Sequence, residues 1–578
     1  MSCPAPCFVG VDVGTGSVRA GVFDPKGLLL GSSVCEISVH QPAPGHFEQS
    51  SDEIWGACCT TVHEASKAAG DVRIGGIAFD ATCSLVLRRA GHSSLDLAPE
   101  SDTEATNATH DIIMWCDHRA TEEAREINSK GHRLLQFVGG KVFPEMEMPK
   151  LCWLRKYRPQ IYAAATHFYD LTDYLAHRAA DFRDGGGSGA GIRSQCTVVC
   201  KWNFDAAKRD WAPDFFEDAK VPDLRPSKIG TSVDVKAVGS AVAGGLGPLA
   251  ASDLGLPEGI TLGVGAIDAH AGGLGCLAAP CESWPPLEQC MALIAGTSAC
   301  HMASSATELL VPGVWGPFDS AMLPGLFLHE AGQSAAGAAL DFIMETHPAF
   351  PALQLEASKA GQKPADFLTT RILQQAKQRN MPPAFLSRGT FISPDFNGNR
   401  SPLADPALKG SIIGLGPAGD HKRATSIDAL AILYLAALQG LAYSTRSIIE
   451  TINAARAQIG SPGIAAVHVC GGLAQNTLYL QEHADALGLP LCCSDNPGAD
   501  VLRGSAMLAA AACGAFPSVQ AAMRGMAKPG RIWRPTEDEQ LRRYHGARYE
   551  VLVHMQRHQQ EYQALESHSF KRQKSSHD

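Results

Sequence analysis

The sequence predicts an α/β chain built from two related halves, and three observations predict it. Residues 8–27, FVGVDVGTGSVRAGVFDPKG, read as a strand, a glycine-threonine-glycine-serine turn and a second strand, with Asp12 where the first strand ends. Residues 291–305, MALIAGTSACHMASS, repeat that pattern through Gly296, Thr297 and Ser298. Elsewhere apolar strand-like runs alternate with helical periodicity, the signature of α/β layers. At 578 residues the chain is too long for one core. Two large domains are expected, at 8–270 and 271–535, followed by a C-terminal helix and a disordered tail at 536–578.

The elements follow in order. Residues 55–69 and 121–137 carry helical periodicity, whereas 74–89 (IGGIAFDATCSLVLRR) and 112–120 (IIMWCDHRA) read as strand segments. The run 184–191, DGGGSGAG, reads as a flexible insertion, and a strand at 260–264 leads into IDAHAGGLG, which opens a helix of small residues. In the second half Glu330-Ala-Gly-Gln333-Ser opens another small-residue helix. A long helix over 426–455 follows, with Ser426 as its N-cap, and 465–472 forms a strand and glycine turn. Helices over 500–513 and 537–566 complete the chain. The segments 184–191 and 351–376 receive no role.

Composition narrows the function classes. Aromatic residues make up 7% and charged residues 19% of the chain, and a net charge of −10 gives no basic face for nucleic acid. No apolar run approaches the roughly 20 residues that span a bilayer, and the start MSCPAPC is unlike a signal peptide, so a cytoplasmic chain without a membrane partner is expected. The 18 cysteines contain no C-x-x-C, which points to neither a zinc ribbon nor a redox motif. They read as reduced thiols.

The chemistry concentrates at turns and strand ends. The turn Gly14-Thr15-Gly16-Ser17 offers N–H groups and two hydroxyls to a phosphate, and Asp12 beside it suits Mg²⁺, a cation of oxygen ligands; a plain hairpin is the alternative at either copy. A P-loop motif is absent. One G-x-G-x-x-G, at 414–419, lacks the βαβ context of a dinucleotide fold. Asp268, at a strand-to-helix junction among small residues, has the placement of a general base, or else of a helix cap. His270 beside it also reads as a satisfied, partly buried histidine. Asp117, His118 and Arg119 could hydrogen-bond a polyol or form a solvated strand end, and Asp80, Thr82, Cys83 and Ser84 end another strand. Lys201 sits among apolar and aromatic neighbours. Gly471 and Gly472 would let a base or ribose approach the backbone beside Asn476, with a bare glycine turn as the alternative.

Taken together, VGVDVGTGSVR, DATCS, MWCDHRA, MPKLCWL, CKW, IDAHAGGLG, GTSACHM, VPGVWGPF, HEAGQS, PDFNGNRSPLADPALKG and CGGLAQN resemble the FGGY carbohydrate kinases, in particular their ribulokinase branch. The resemblance spans about 8–515. It implies two ribonuclease-H-like domains of the actin, hexokinase and heat-shock ATPase superfamily flanking a nucleotide cleft. It implies that Thr15, Ser17, Arg19 and Thr297 hold ATP phosphates, that Gly16, Gly296 and Gly337 also lie on the ATP side, that Gly472 and Asn476 contact adenosine, and that Asp12 faces Mg²⁺. Asp268 is implied as the base, and Cys83, Asp117, His118, Arg119, Lys201, Glu330 and Gln333 as sugar contacts. Cys83 departs from the small aliphatic residue associated with bacterial L-ribulokinases. The activity implied is ATP-dependent phosphorylation of a ketopentose, D-ribulose foremost, by a chain that could act as a homodimer; the alternatives are a kinase of another pentulose or polyol (L-ribulose, D-xylulose, ribitol) and a nucleotide-gated binding module without sugar kinase activity.

Overall fold

The computed structural model describes residues 5–89, 93–97, 109–181, 191–279, 285–416, 425–528 and 530–574, the last with side chains as far as Glu566. Most of the insertion at 184–191, part of 414–419 and the end of the basic tail lie outside the described residues. The chain forms two compact units. The first comprises Met1–Glu282, Met302–His329 and Ser494–Gly530, and the second Ser283–His301, Glu330–Cys493 and Arg531–Asp578.

In the first unit the strand Cys7–Val13, buried throughout, turns through Gly14–Gly16 into Ser17–Phe23 and pairs with it antiparallel. On its other side lies the parallel strand Ile74–Ala81, then the parallel strand Thr261–Ile267, while Leu29–Glu36 closes the opposite edge. Val9, Val11, Val13 and Val18 meet Ile54, Trp55, Cys58 and Val62 of the helix Ser51–Ala69 in the core. That helix starts where the Ser50 side chain accepts the Glu53 N–H.

The stretch expected to be strand over 74–89 is broken at 82–84 into Ile74–Ala81 and Leu85–Arg88. The expected strand over 112–120 is confined to Ile112–Ile113, after which the Asp117 N–H donates to Met114 O in a turn. The helix expected over 121–137 stops at Asn128 and resumes as a 3₁₀ turn at Arg133–Phe137, parted by Gly131 at φ 65°.

The small residues of Asp268–Leu277 serve packing. A Cβ on Gly275 would stand 1.9 Å from Asp500 O, and one on Gly504 would stand 1.9 Å from Ala271 O. This helix and Asp500–Ala512 therefore meet backbone to backbone.

In the second unit Cys290–Ala295, Ala466–Cys470 and Leu491–Ser494 form a parallel ladder. The second hairpin is observed as expected, Cys290–Ala295 turning through Gly296–Ser298 into Ala299–Ser305. The long helix runs Ile427–Gln458, with the Ser426 Oγ accepting the Ala429 N–H at 3.2 Å. An 18-residue stretch of it is apolar and long enough to cross a membrane, which corrects the reading that no such run exists, yet 78% of that stretch is buried inside the protein. The C-terminal helix Glu539–Lys574 covers it, with the Tyr443 hydroxyl against His545 Nδ1 at 2.9 Å.

Candidate active site

Three carboxylates gather at the C-terminal ends of the first unit's parallel strands. Asp12 and Asp80 are register partners on adjacent strands, and Asp268 follows Ile267, which pairs with Ala81. Like charges held this close disfavour joint ionisation. Burial, with Asp12 next to it, pushes the Asp80 carboxyl well above its ordinary value, against the pull of the Ser505 hydroxyl that hydrogen-bonds it. Burial and then Asp12 push Asp268 up to about 6, against the Ala269 N–H, His270 and Lys201. Asp268 is the first residue of its helix, and its Oδ1 accepts the Ala269 N–H at 2.7 Å.

Arg19 lies opposite Asp12 in the hairpin. Its Nε donates to Asp12 Oδ2 at 2.8 Å, a second nitrogen pairs with the same oxygen, and the third reaches Gly498 O at 3.0 Å. It thus orients Asp12, where the sequence suggested a phosphate contact. The hard oxygen donors of Asp12 and Asp80, whose repulsion a divalent cation would relieve, fit the divalent metal of a phosphoryl-transfer site.

The turn beside them is fixed by the Gly14 N–H donating to Ser17 O at 3.0 Å, by the Gln49 amide donating to Thr15 O at 2.9 Å and by the Trp115 Nε1 donating to Thr15 Oγ1 at 3.0 Å. Thr15 and Gly16 are exposed, with Gly14 and Ser17 half-buried, so backbone N–H groups stand at a surface where an anion can reach them.

The second hairpin repeats this build in its own unit. The Gly296 N–H donates to Ser298 O at 2.9 Å, and Thr297 O accepts the N–H groups of Ala336 and Ala338 at 2.9 and 3.1 Å. Gly337 begins the helix Gly337–Glu345, and a Cβ there would stand 2.8 Å from Gly296 O. Only glycine lets the turn lie against that helix end.

Lys201 ends the helix Gln195–Lys201 with its ammonium 4.5 Å from the Trp315 ring centroid. Burial pushes the half-buried Cys83 thiol up, against the charges of Lys201 and Lys150. Lys150 and Glu147, both buried, form an ion pair at 3.4 Å in the same neighbourhood, and burial holds Glu147 up at about 7. Sequence reasoning gave neither a role, although MPKLCWL contains the lysine.

Asp117, His118 and Arg119, expected as polyol contacts, all have partners within the protein. The buried Asp117 carboxylate accepts the Phe47 N–H at 2.6 Å and the Arg119 N–H and guanidinium at 2.9 Å. Arg119 also reaches Glu48 at 2.9 Å and lies 5.0 Å from the Trp153 ring centroid. The two residues brace their own loop. The His118 side chain is 58% exposed and meets Glu145 at 3.3 Å.

Three further residues belong to the second unit. Glu330 and Gln333 lie in a strand, Phe327–Gln333, where a helix start was expected; buried on nearly every residue, it lacks the alternation that marks a strand. Gln333 donates to Leu441 O at 2.9 Å and Thr445 Oγ1 at 3.3 Å. Asn476 caps the helix Thr477–Leu487, its Oδ1 accepting two N–H groups while its Nδ2 meets Thr369 and Tyr434 at 3.2 Å. Its amide is therefore occupied. Gly471, at φ 90° and against Ala295, makes the turn, and a Cβ on Gly472 would meet no heavy atom within 4 Å, which leaves the backbone open there.

Residues 7–275 match the N-terminal domain, and 291–513 the C-terminal domain, of the FGGY family of carbohydrate kinases. The chain is 40% identical to the human FGGY carbohydrate kinase domain-containing protein over 97% of this chain and 98% of that one. It is 35% identical to a D-ribulokinase of Saccharomyces cerevisiae over 88% of this chain and 72% of the relative. Among solved structures, a xylulose kinase from Brucella ovis superposes with TM-score 0.73 at 20% identity, covering 97% of this chain and 99% of that one.

Proposed function

The chain belongs to the FGGY family of carbohydrate kinases and is an ATP-dependent sugar kinase, and from that premise we propose that its acceptor is a free ketopentose, D-ribulose foremost, phosphorylated on the terminal hydroxyl to the 5-phosphate. The observation that carries the reading is Asp268, a carboxyl held at about 6 at a helix start beside Asp12, Asp80 and Lys201. Similarity to a D-ribulokinase over most of the chain supports the choice of sugar.

Asp268 accepts the hydroxyl proton as the sugar oxygen attacks the γ-phosphorus, and the bond to the departing ADP breaks on the opposite side. N–H groups of the Gly14–Ser17 and Gly296–Ser298 turns hold phosphate oxygens, with the Thr15 and Thr297 hydroxyls beside them. Asp12, oriented by Arg19, and Asp80 would hold a divalent cation, Mg²⁺ by its preference for carboxylate and phosphate oxygens, and when bound it would supply charge neutralisation on the phosphoryl group. Lys201, steadied on Trp315, meets sugar hydroxyls, and Asp117 and Arg119 act by holding their loop.

The test is ADP release by the purified chain with D-ribulose, L-ribulose, D-xylulose, L-xylulose, ribitol and glycerol. A site that pairs buried polar groups with hydroxyls rejects an acceptor that leaves them unpaired, often by orders of magnitude. The kcat/KM for D-ribulose should stand well above that for D-xylulose, with essentially no turnover of glycerol. Lys201→Met should narrow the first gap by harming the better substrate more. Preference for glycerol or D-xylulose would refute the ribulokinase reading.

A further inference from the structure

Behind the carboxylates, two thiols and an imidazole converge in a place that phosphoryl transfer does not use. Cys196 and Cys200 are one turn apart on the helix Gln195–Lys201, so both side chains lie on one face. His270 projects from the first turn of Asp268–Leu277 toward them. All three residues are fully buried, and their two sulfurs and one ring nitrogen lie within 4.8 Å of one another. Among the described residues no other cluster of this kind occurs.

Two details go beyond close packing. Cys200 Sγ is 3.6 Å from His270 Nε2, and a tetrahedral zinc ion with bonds of about 2.3 Å to sulfur and 2.0 Å to nitrogen separates such a pair by about 3.5 Å. The Ile267 N–H points at Cys196 Sγ at 3.5 Å, the kind of outer hydrogen bond that orients a thiolate ligand.

We propose that Cys196, Cys200 and His270 form a binding site for one thiophilic cation, zinc(II) foremost. Two thiolates and a neutral imidazole give a dication a net neutral environment, which suits a site without exposure, and the fourth position is left for water. On binding, the two thiol protons are released. Soft sulfur ligands separate this ion from the oxygen-ligated cation of the reaction. The bound ion ties the helix that ends at Lys201 to the helix that begins at Asp268 and so fixes two active-site side chains from behind.

The experiment uses the full chain, reduced and stripped of metal, titrated with cobalt(II) and then zinc(II). One equivalent of cobalt should give thiolate-to-metal charge-transfer absorption that zinc abolishes. The Cys196→Ser/Cys200→Ser double variant should lose this band, and His270→Gln should weaken binding by about tenfold or more. Zinc absorption spectroscopy of the wild-type protein, which needs no variant to fold, should fit two sulfur neighbours at about 2.3 Å and two nitrogen or oxygen neighbours at about 2.0 Å, the imidazole and the water. Coordination by oxygen and nitrogen alone, failure to take up a stoichiometric ion, or an undiminished band in a folded double variant would overturn the proposal.

Discussion

Replacing Asp268 by asparagine removes one charge and one proton acceptor and leaves the side chain's volume unchanged. The amide oxygen can still accept the Ala269 N–H now held at 2.7 Å, so the helix start survives. The carboxylate being removed is one that Asp12 and burial already disfavour, so the variant should melt no lower than the wild type. ATP affinity should persist, because the phosphate turns and the Asp12 and Arg19 pair are untouched. Turnover should not persist: loss of a general base costs about 10²–10⁴-fold, or roughly 3–5 kcal/mol on the barrier. The assay is coupled ADP release at saturating sugar and ATP, with nucleotide affinity and melting temperature measured on the same preparations. A folded Asp268→Asn protein within a few-fold of wild-type kcat would refute the assignment of the base, because no other change to the site could have compensated.

The other predictions concern the turns and one buried carboxyl. Thr15→Val and Thr297→Val should each raise the KM for ATP more than that for sugar in steady-state kinetics; unchanged ATP kinetics in both would remove the turns from nucleotide binding. Gly337→Ala should also raise the KM for ATP, because its Cβ would press within 2.8 Å of Gly296 O and push the second turn out of place. Burial holds the Glu482 carboxyl at about 8, while Gln439 donates to it at 2.9 Å. An unfolded glutamate ionises near 4.3, so this group's stabilising proton is fully bound at low pH and lost as pH rises toward 8: from pH 6 to 8 the wild type should lose roughly 2 kcal/mol that Glu482→Gln does not, seen as a flatter melting profile in the variant.

The hairpins were legible because their instructions are local. A β-branched run, a glycine turn and a second run specify strand, reversal and strand without help from the rest of the chain. The Ser426 cap of the long helix is local in the same sense. The strand Phe327–Gln333 was not legible, because its Ala331-Gly332 pair imitates a helix entry. Gly332 is instead small because a Cβ there would meet Ala299 O and the Arg400 side chain at 3.1 Å, neighbours more than thirty positions away in sequence.

The candidate site divides along the same line. Asp12 and Asp268 could be found from the strands they terminate, but that Asp80 stands between their strands follows only from parallel registers joining segments far apart in the chain. Residue type revealed which side chains could bind a ligand, and it could not reveal which were already engaged. Asp117 with Arg119 and Asn476 with its helix have the donors and acceptors that a sugar or a base would use, and the fold spends them internally. The buried ion pair of Glu147 and Lys150 makes the converse point, since an i, i+3 pair on a helix reads in sequence as a solvated face. What decides between a ligand contact and an internal brace is the geometry of partners that no single segment contains. Lys201 illustrates how much that geometry adds: the sequence shows a lysine among aromatic residues, and the fold sets Trp315 against its ammonium and leaves its charge within reach of Asp268 and Cys83. A charge held in that way can lower a neighbouring carboxyl and still meet a hydroxyl, which a solvated lysine on a helix end would not do.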